Sequence, residues 1–279
     1  MRARTRPTLR TRATTAAALS AVFALACGAL AAPARRTAAH GGVSLTYDSS
    51  LAREARAETV PASPLESADE KPDGVYPEHV AFTLDGVEGA PAGPDRAHVI
   101  RVCPVAEYLK AFAASPRYVR EAERTLNELR RLIRRRPAAL RGNVPALPVP
   151  DGTEVFHAHV RYLRFPGGAG VAFLTQGQQD DGLINSQQVS YEFRGLTDDG
   201  RFYVSATLPA GAPVIAAARD AASHEGYTPP RHPGGRREGQ RYAAYVERVR
   251  RQLERLPAER FAPSLRLYDE LLSSIEIRK

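Results

Sequence analysis

Two periods alternate along the chain, and together they assign most of its elements. Val43, Leu45 and Tyr47 alternate with Ser44 and Thr46, and Val80, Phe82 and Leu84 alternate with Ala81 and Thr83. A two-residue period places every second side chain on one face of a half-buried strand. Residues 98–102 form a further short apolar run, read as a third strand. From Ser115 the period changes: Tyr118, Ala122, Leu126, Leu129 and Ile133 recur at helical spacing, with Ser115 as N-cap, Pro116 in the first turn and Pro137 beyond the end. A shorter helical segment is expected over 105–114. Alternation then returns. Phe156, Ala158, Val160 and Tyr162 are expected on one strand face, residues 171–175 form the next strand, and Val189, Tyr191 and Phe193 share a face of another. Thr197-Asp198-Asp199-Gly200 turns that strand into Phe202, Val204, Ala206 and Leu208, a strong hairpin signal. The connections are too short for helical crossovers, so the pairing is antiparallel. Stripes at Tyr242, Tyr245, Val249, Leu253 and Leu256, and at Leu265, Tyr268, Leu271 and Leu272, predict two closing helices, and Ile275-Glu276-Ile277 a last strand. The pattern predicts an α+β fold, an antiparallel sheet flanked by helices.

Proline and glycine break this pattern in three places. Residues 54–74 and 143–151 read as long irregular connections, and 209–240 as a mobile surface excursion containing a short helix near 214–222. No internal repeat occurs. The organisation expected is a leader over 1–31, a flexible lead over 32–42 and a single α+β domain over 43–279.

The leader changes the meaning of the charge. Arg2, Arg4, Arg6, Arg10 and Arg12 precede a small-residue apolar stretch that ends near Ala29-Leu30-Ala31, the pattern of a secretory signal peptide. Thr14, Thr15 and Ser20 thin the run below what a permanent span of about 20 strongly apolar residues requires. Cleavage after Ala31 removes five arginines and no acid, so the formal charge falls from +8 to +3 over the remaining 248 residues. A secreted or extracytoplasmic protein is expected, and nucleic acid is not an expected partner. Cys27 follows Ala24-Leu25-Ala26 and is a candidate for lipid modification, although a lipoprotein signal usually has Leu where Ala24 stands. If Cys27 is discarded with the leader, only Cys103 is left.

Candidate chemistry is sparse. His157 and His159 are alternate residues on a predicted strand, the start of a metal site if a third ligand such as His79, His98 or Cys103 approaches. The competing reading is a polar strand face shared with Arg161. Cys103 lacks the surroundings of a nucleophile. Gly167-Gly168-Ala169-Gly170 leads from strand to strand and reads as a hairpin turn, not a phosphate cradle. Asp180-Asp181 and Asp198-Asp199 adjoin glycines in predicted turns, where Asp is favoured for backbone reasons. Arg130, Arg131, Arg134 and Arg135 make one helix end basic, which complements the helix dipole or offers a contact for anionic lipid or a wall polymer. G-x-S-x-G, H-E-x-x-H and G-x-x-x-x-G-K-[ST] patterns are absent from the sequence, and no cofactor is expected.

Gly42-Val43-Ser44-Leu45-Thr46-Tyr47-Asp48 near the start of the domain and Leu271-Leu272-Ser273-Ser274-Ile275-Glu276-Ile277 at its end together resemble the PsbP-like architecture, which implies an antiparallel sheet flanked by helices. Residues 71–80 and 195–204 are similar to a group of uncharacterised exported bacterial proteins, a resemblance that implies no activity and no site residue. The expected function is a non-enzymatic binding or accessory domain of the cell envelope or extracellular space. The alternative is a metal-dependent hydrolase built on His157 and His159.

Overall fold

A computed structural model of the chain describes residues 34–90, 97–148, 152–230 and 235–278; the leader and Cys27 lie outside them. Seven strands form the main sheet: β3 (Glu54–Val60), β4 (His79–Asp85), β5 (His98–Pro104), β7 (Ala158–Phe165), β8 (Gly168–Thr175), β10 (Ser190–Thr197) and β11 (Phe202–Pro209). Their order is β3-β4-β5-β11-β10-β8-β7, and every neighbouring pair is antiparallel. β1 (Arg35–His40), β2 (Val43–Asp48) and β12 (Glu276–Ile277) form a small second sheet around β2, and β6 (Thr153–Glu154) pairs with β9 (Gly177–Gln178) as a two-stranded ribbon. The helices are α1 (Val105–Ala111), α2 (Pro116–Arg135), α3 (Arg236–Arg255) and α4 (Leu265–Ser273). The fold is α+β, with helices on both faces of the sheet.

Each face of the main sheet has its own core, which follows from the two-residue period of the strands. On one face, Phe82, Ile100, Val204, Phe193 and Leu174 meet the α3 stripe Tyr245, Val249 and Leu253, the α4 stripe Tyr268, Leu271 and Leu272, and Val43, Leu45 and Tyr47 of β2. On the other face, Cys103, Tyr203, Leu196, Val171 and Phe173 meet Tyr108 and Phe112 of and beside α1, and Ala122, Leu126 and Leu129 of α2. Covered from both sides, β8 is buried along its whole length.

Several local expectations are corrected. Residues 35–40, expected as a flexible lead, pair with β2 from Arg35↔Asp48 to His40↔Val43. Residues 54–60, expected as irregular chain, form the edge strand β3 because Ala55 and Ala57 pack inward beside β4 while Glu54, Arg56, Glu58 and Thr59 stay exposed. The turn before β8 is only Pro166-Gly167, with Gly167 at φ +76°. Gly168 and Gly170 belong to the strand, where a Cβ on Gly170 would collide with the Phe193 ring. No helix forms over 214–222; Ile215, Ala216 and Tyr227 are instead buried in the first core, and Ala216 bridges to Asn185. The described part of 209–240 is therefore a cover for the core. No helix among the described residues is long and apolar enough to cross a membrane.

Candidate functional site

α1 and α2 cover only one end of their sheet face. Beyond them the same face turns polar, and the register shows how. Arg101 of β5, Ser205 of β11 and Arg194 of β10 are direct cross-strand neighbours, and the next row places Thr207 of β11 beside Glu192 of β10. Strands lie about 4.8 Å apart, so each row is a short ladder of side chains standing on the sheet. Above these rows is a cavity of about 620 Å³, walled by Tyr76, Tyr203, Leu147, Gln178 and Gln188. Gln179, Asp180 and Arg219, all exposed, mark the mouth. Its volume falls within the range of small-molecule sites, and its lining is more polar than that of most.

One wall is fixed by a buried ion pair. Arg194 and Glu154 meet at 2.6 Å with their side chains 7% and 5% exposed. Arg194 also donates to the Val144 carbonyl and lies over the Phe173 ring. Glu154 accepts from the Val144 amide at 2.7 Å and from His157 Nε2 at 2.8 Å. Burial raises the Glu154 carboxyl, but the His157 hydrogen bond, the Arg194 charge and the Val144 amide outweigh it and hold the group below its ordinary range. The cluster clamps Val144 and Glu154 to the sheet, and the Leu147 amide adds a bond of 3.3 Å to the Tyr203 hydroxyl.

The floor groups are less committed. Glu192 is half-buried and accepts from Ser190 Oγ at 2.7 Å and Thr207 Oγ1 at 3.2 Å. Burial pushes its carboxyl above the ordinary range, against the lowering by Arg194 and the two hydroxyls. Arg101 lies over the Tyr76 ring at 5.3 Å and forms no ion pair among the described residues. A titratable group displaced by its surroundings inside a cleft marks a candidate functional site.

The structure does not bring the two histidines together. A bulge between Ala158 and Arg161, and φ +50° at His159, break the two-residue period on which their shared face depends. Phe156 and Ala158 therefore belong to the first core, while Val160 and Tyr162 pack against the second. His157 turns to Glu154 and to the Phe173 ring on the cavity side. His159 turns to the other side, where it bonds the Leu253 carbonyl at 2.8 Å and meets the Phe261 ring. His79 bonds the Pro77 carbonyl, and the His98 ring lies 6.1 Å from that of Tyr268. Among the described residues no three His, Cys, Asp or Glu side chains gather around one point. Cys103 is buried in the second core, where desolvation pushes its thiol up to about 12, so the thiolate is scarce at neutral pH.

The remaining candidates stay apart from the cavity, except for one acid. Asp199 is consumed by the hairpin, accepting from Thr197 Oγ1 and the Arg201 amide, and Asp198 pairs with Arg164. Asp180 reaches the cavity mouth, and with Asp181 it also lines a second cavity of about 500 Å³ across the β6/β9 ribbon, beside Tyr242 and Val246 of α3. At the end of α2, Arg130 bonds Asn127, Arg131 lies 4.0 Å from Glu128, and Arg134 and Arg135 are exposed. Comparison with known protein families, curated proteins and solved structures finds no match to the chain.

Proposed function

We propose that this is an exported binding protein whose polar cavity takes a small, hydrogen-bonding ligand without performing chemistry on it. The observation that carries this reading is the pair of cross-strand rows, Arg101-Ser205-Arg194 and Thr207-Glu192, left uncovered where the α1/α2 layer ends. A buried ion pair that holds the wall in place suits a preformed site, because a rigid receptor loses less entropy on binding. Export rests on the leader, and the PsbP-like resemblance is kept with it: the two segments that carry it are paired, with Ile277 opposite Val43 and Glu276 opposite Ser44.

The test is a screen of polar metabolites and wall-polymer fragments by ligand-observed NMR against the purified protein and a Ser205→Tyr variant that fills the cavity. Ligands that bind the wild type and are released by the variant are the expected result. An empty screen, or binders indifferent to the filled cavity, would overturn the reading. N-terminal sequencing of the protein from its native host is expected to begin near Ala32, or at an acylated Cys27 if the leader carries a lipoprotein signal; an intact leader would overturn export.

A further inference from the structure

Charge lining the cavity balances by count, Arg101, Arg194 and Arg219 against Glu154, Asp180 and Glu192, but the ion pairing is uneven. Arg194 is neutralised by Glu154 at 2.6 Å. Arg219 and Asp180, both exposed at the mouth, carry opposite charges. On the floor this leaves Arg101, half-buried on the Tyr76 ring and without an ion-pair partner among the described residues, and Glu192 one row away. A cleft guanidinium that no carboxylate of the described residues contacts is suited to receive one from a ligand, since its planar fork matches two carboxylate oxygens. The rest of the lining consists largely of hydroxyl and amide groups: Ser190, Ser205, Thr207, Gln178 and Gln188.

Resting on the binding-protein reading above, we propose that the ligand is a small hydroxylated monocarboxylate of the sugar-acid class, its carboxylate received by Arg101 and its hydroxyls by Glu192, Ser205 and Thr207. One uncompensated guanidinium matches one negative charge and leaves a dianionic phosphate underpaired. Tyr76, which already carries the Arg101 guanidinium on its face, holds that group in place for the carboxylate and limits the rotamer entropy lost on binding. Glu192 accepts two hydroxyl bonds and keeps lone pairs for ligand hydroxyls, and because burial raises its carboxyl, its repulsion of an incoming carboxylate is weakened. The volume of about 620 Å³ admits a mono- or disaccharide-sized molecule.

The experiment is calorimetric titration of the purified protein with glucuronate, glucose and glucose 6-phosphate, repeated on Arg101→Gln. Glucuronate is expected to bind at least about tenfold more tightly than either comparison ligand, and Arg101→Gln to remove that preference, a tenfold ratio corresponding to about 1.4 kcal/mol. If Arg101→Gln does not fold, the glucuronate-to-glucose ratio of the wild type decides alone. Equal binding of glucose, or tighter binding of glucose 6-phosphate, overturns the carboxylate assignment and leaves the cavity as a binding site. Failure of all three to bind overturns the assignment too, while the broader screen with Ser205→Tyr decides separately whether the cavity binds anything.

Discussion

Adjacent residues of β10 live in two different solvents. Tyr191 and Phe193 point into a core closed by α3 and α4, whereas Glu192 and Arg194 point into a polar layer that α1 and α2 leave open. On the first face, stability comes from removing apolar surface from water, a nondirectional effect of about 25 cal/mol per Å². In the polar layer of the second face it depends on partners: Arg194 is tolerable in the interior because Glu154, the Val144 carbonyl and the Phe173 ring surround it. The first face is largely apolar, and the second combines an apolar core under α1 and α2 with a polar layer that lines the cavity.

The comparison breaks most visibly when either face loses its central side chain. Phe193→Ala is expected to cost about 3–5 kcal/mol as a core cavity, and Arg194→Met about 3 kcal/mol because it leaves the buried Glu154 charge with only its His157 and Val144 hydrogen bonds. Urea unfolding measures both. Only Arg194→Met should also expose the chain around Val144 to proteolysis, since Arg194 and Glu154 both bind Val144.

His157→Ala is next in size. It removes a hydrogen bond to a buried carboxylate and is expected to cost about 1.5–3 kcal/mol. His159→Ala, on the other side of the sheet, should loosen α3 through Leu253 instead, and hydrogen exchange of the α3 amides separates the two. A stoichiometric transition metal lost from both variants would contradict their separation.

Glu192→Gln sharpens the contrast through its sign. Because the folded carboxyl titrates above the unfolded one, the folded state keeps a proton that the unfolded chain releases. The wild type therefore loses this contribution as pH rises from about 4.5 through the folded value, and Glu192→Gln should be the more stable protein at pH 7 and not at pH 4. Parallel pH-dependent unfolding of the two proteins checks it. Arg134→Gln and Arg135→Gln, on an exposed helix end, should change stability by less than about 0.5 kcal/mol.

Much of the fold is legible in the chain. The alternation at Val43–Asp48, His79–Asp85 and Phe202–Pro209 appears as strands, and the stripes of α2, α3 and α4 face their cores at Leu126, Val249 and Tyr268. The two longer strands that are missed share one reason: β1 and β3 carry little apolar surface, and what makes them strands is the backbone of β2 and β4 beside them. The site was harder to see. Ser190, Glu192 and Arg194 occupy the positions of a solvated strand face, and no local pattern marks that face as the lining of a cavity. The histidine spacing misled because a bulge and one left-handed residue cancel the period from which it was read.

By itself the sequence determined the α+β class, the antiparallel hairpins and the helical stripes, because periodicity is a local property set by backbone geometry. Only the tertiary structure decided that Arg101, Ser205 and Arg194 stand in one row, that Glu154 reaches across 40 residues to neutralise Arg194, and that His157 and His159 face opposite ways. Those relations depend on cross-strand register and on where a helical layer stops. Both are settled by burying the whole apolar surface at once, which no short window of sequence contains.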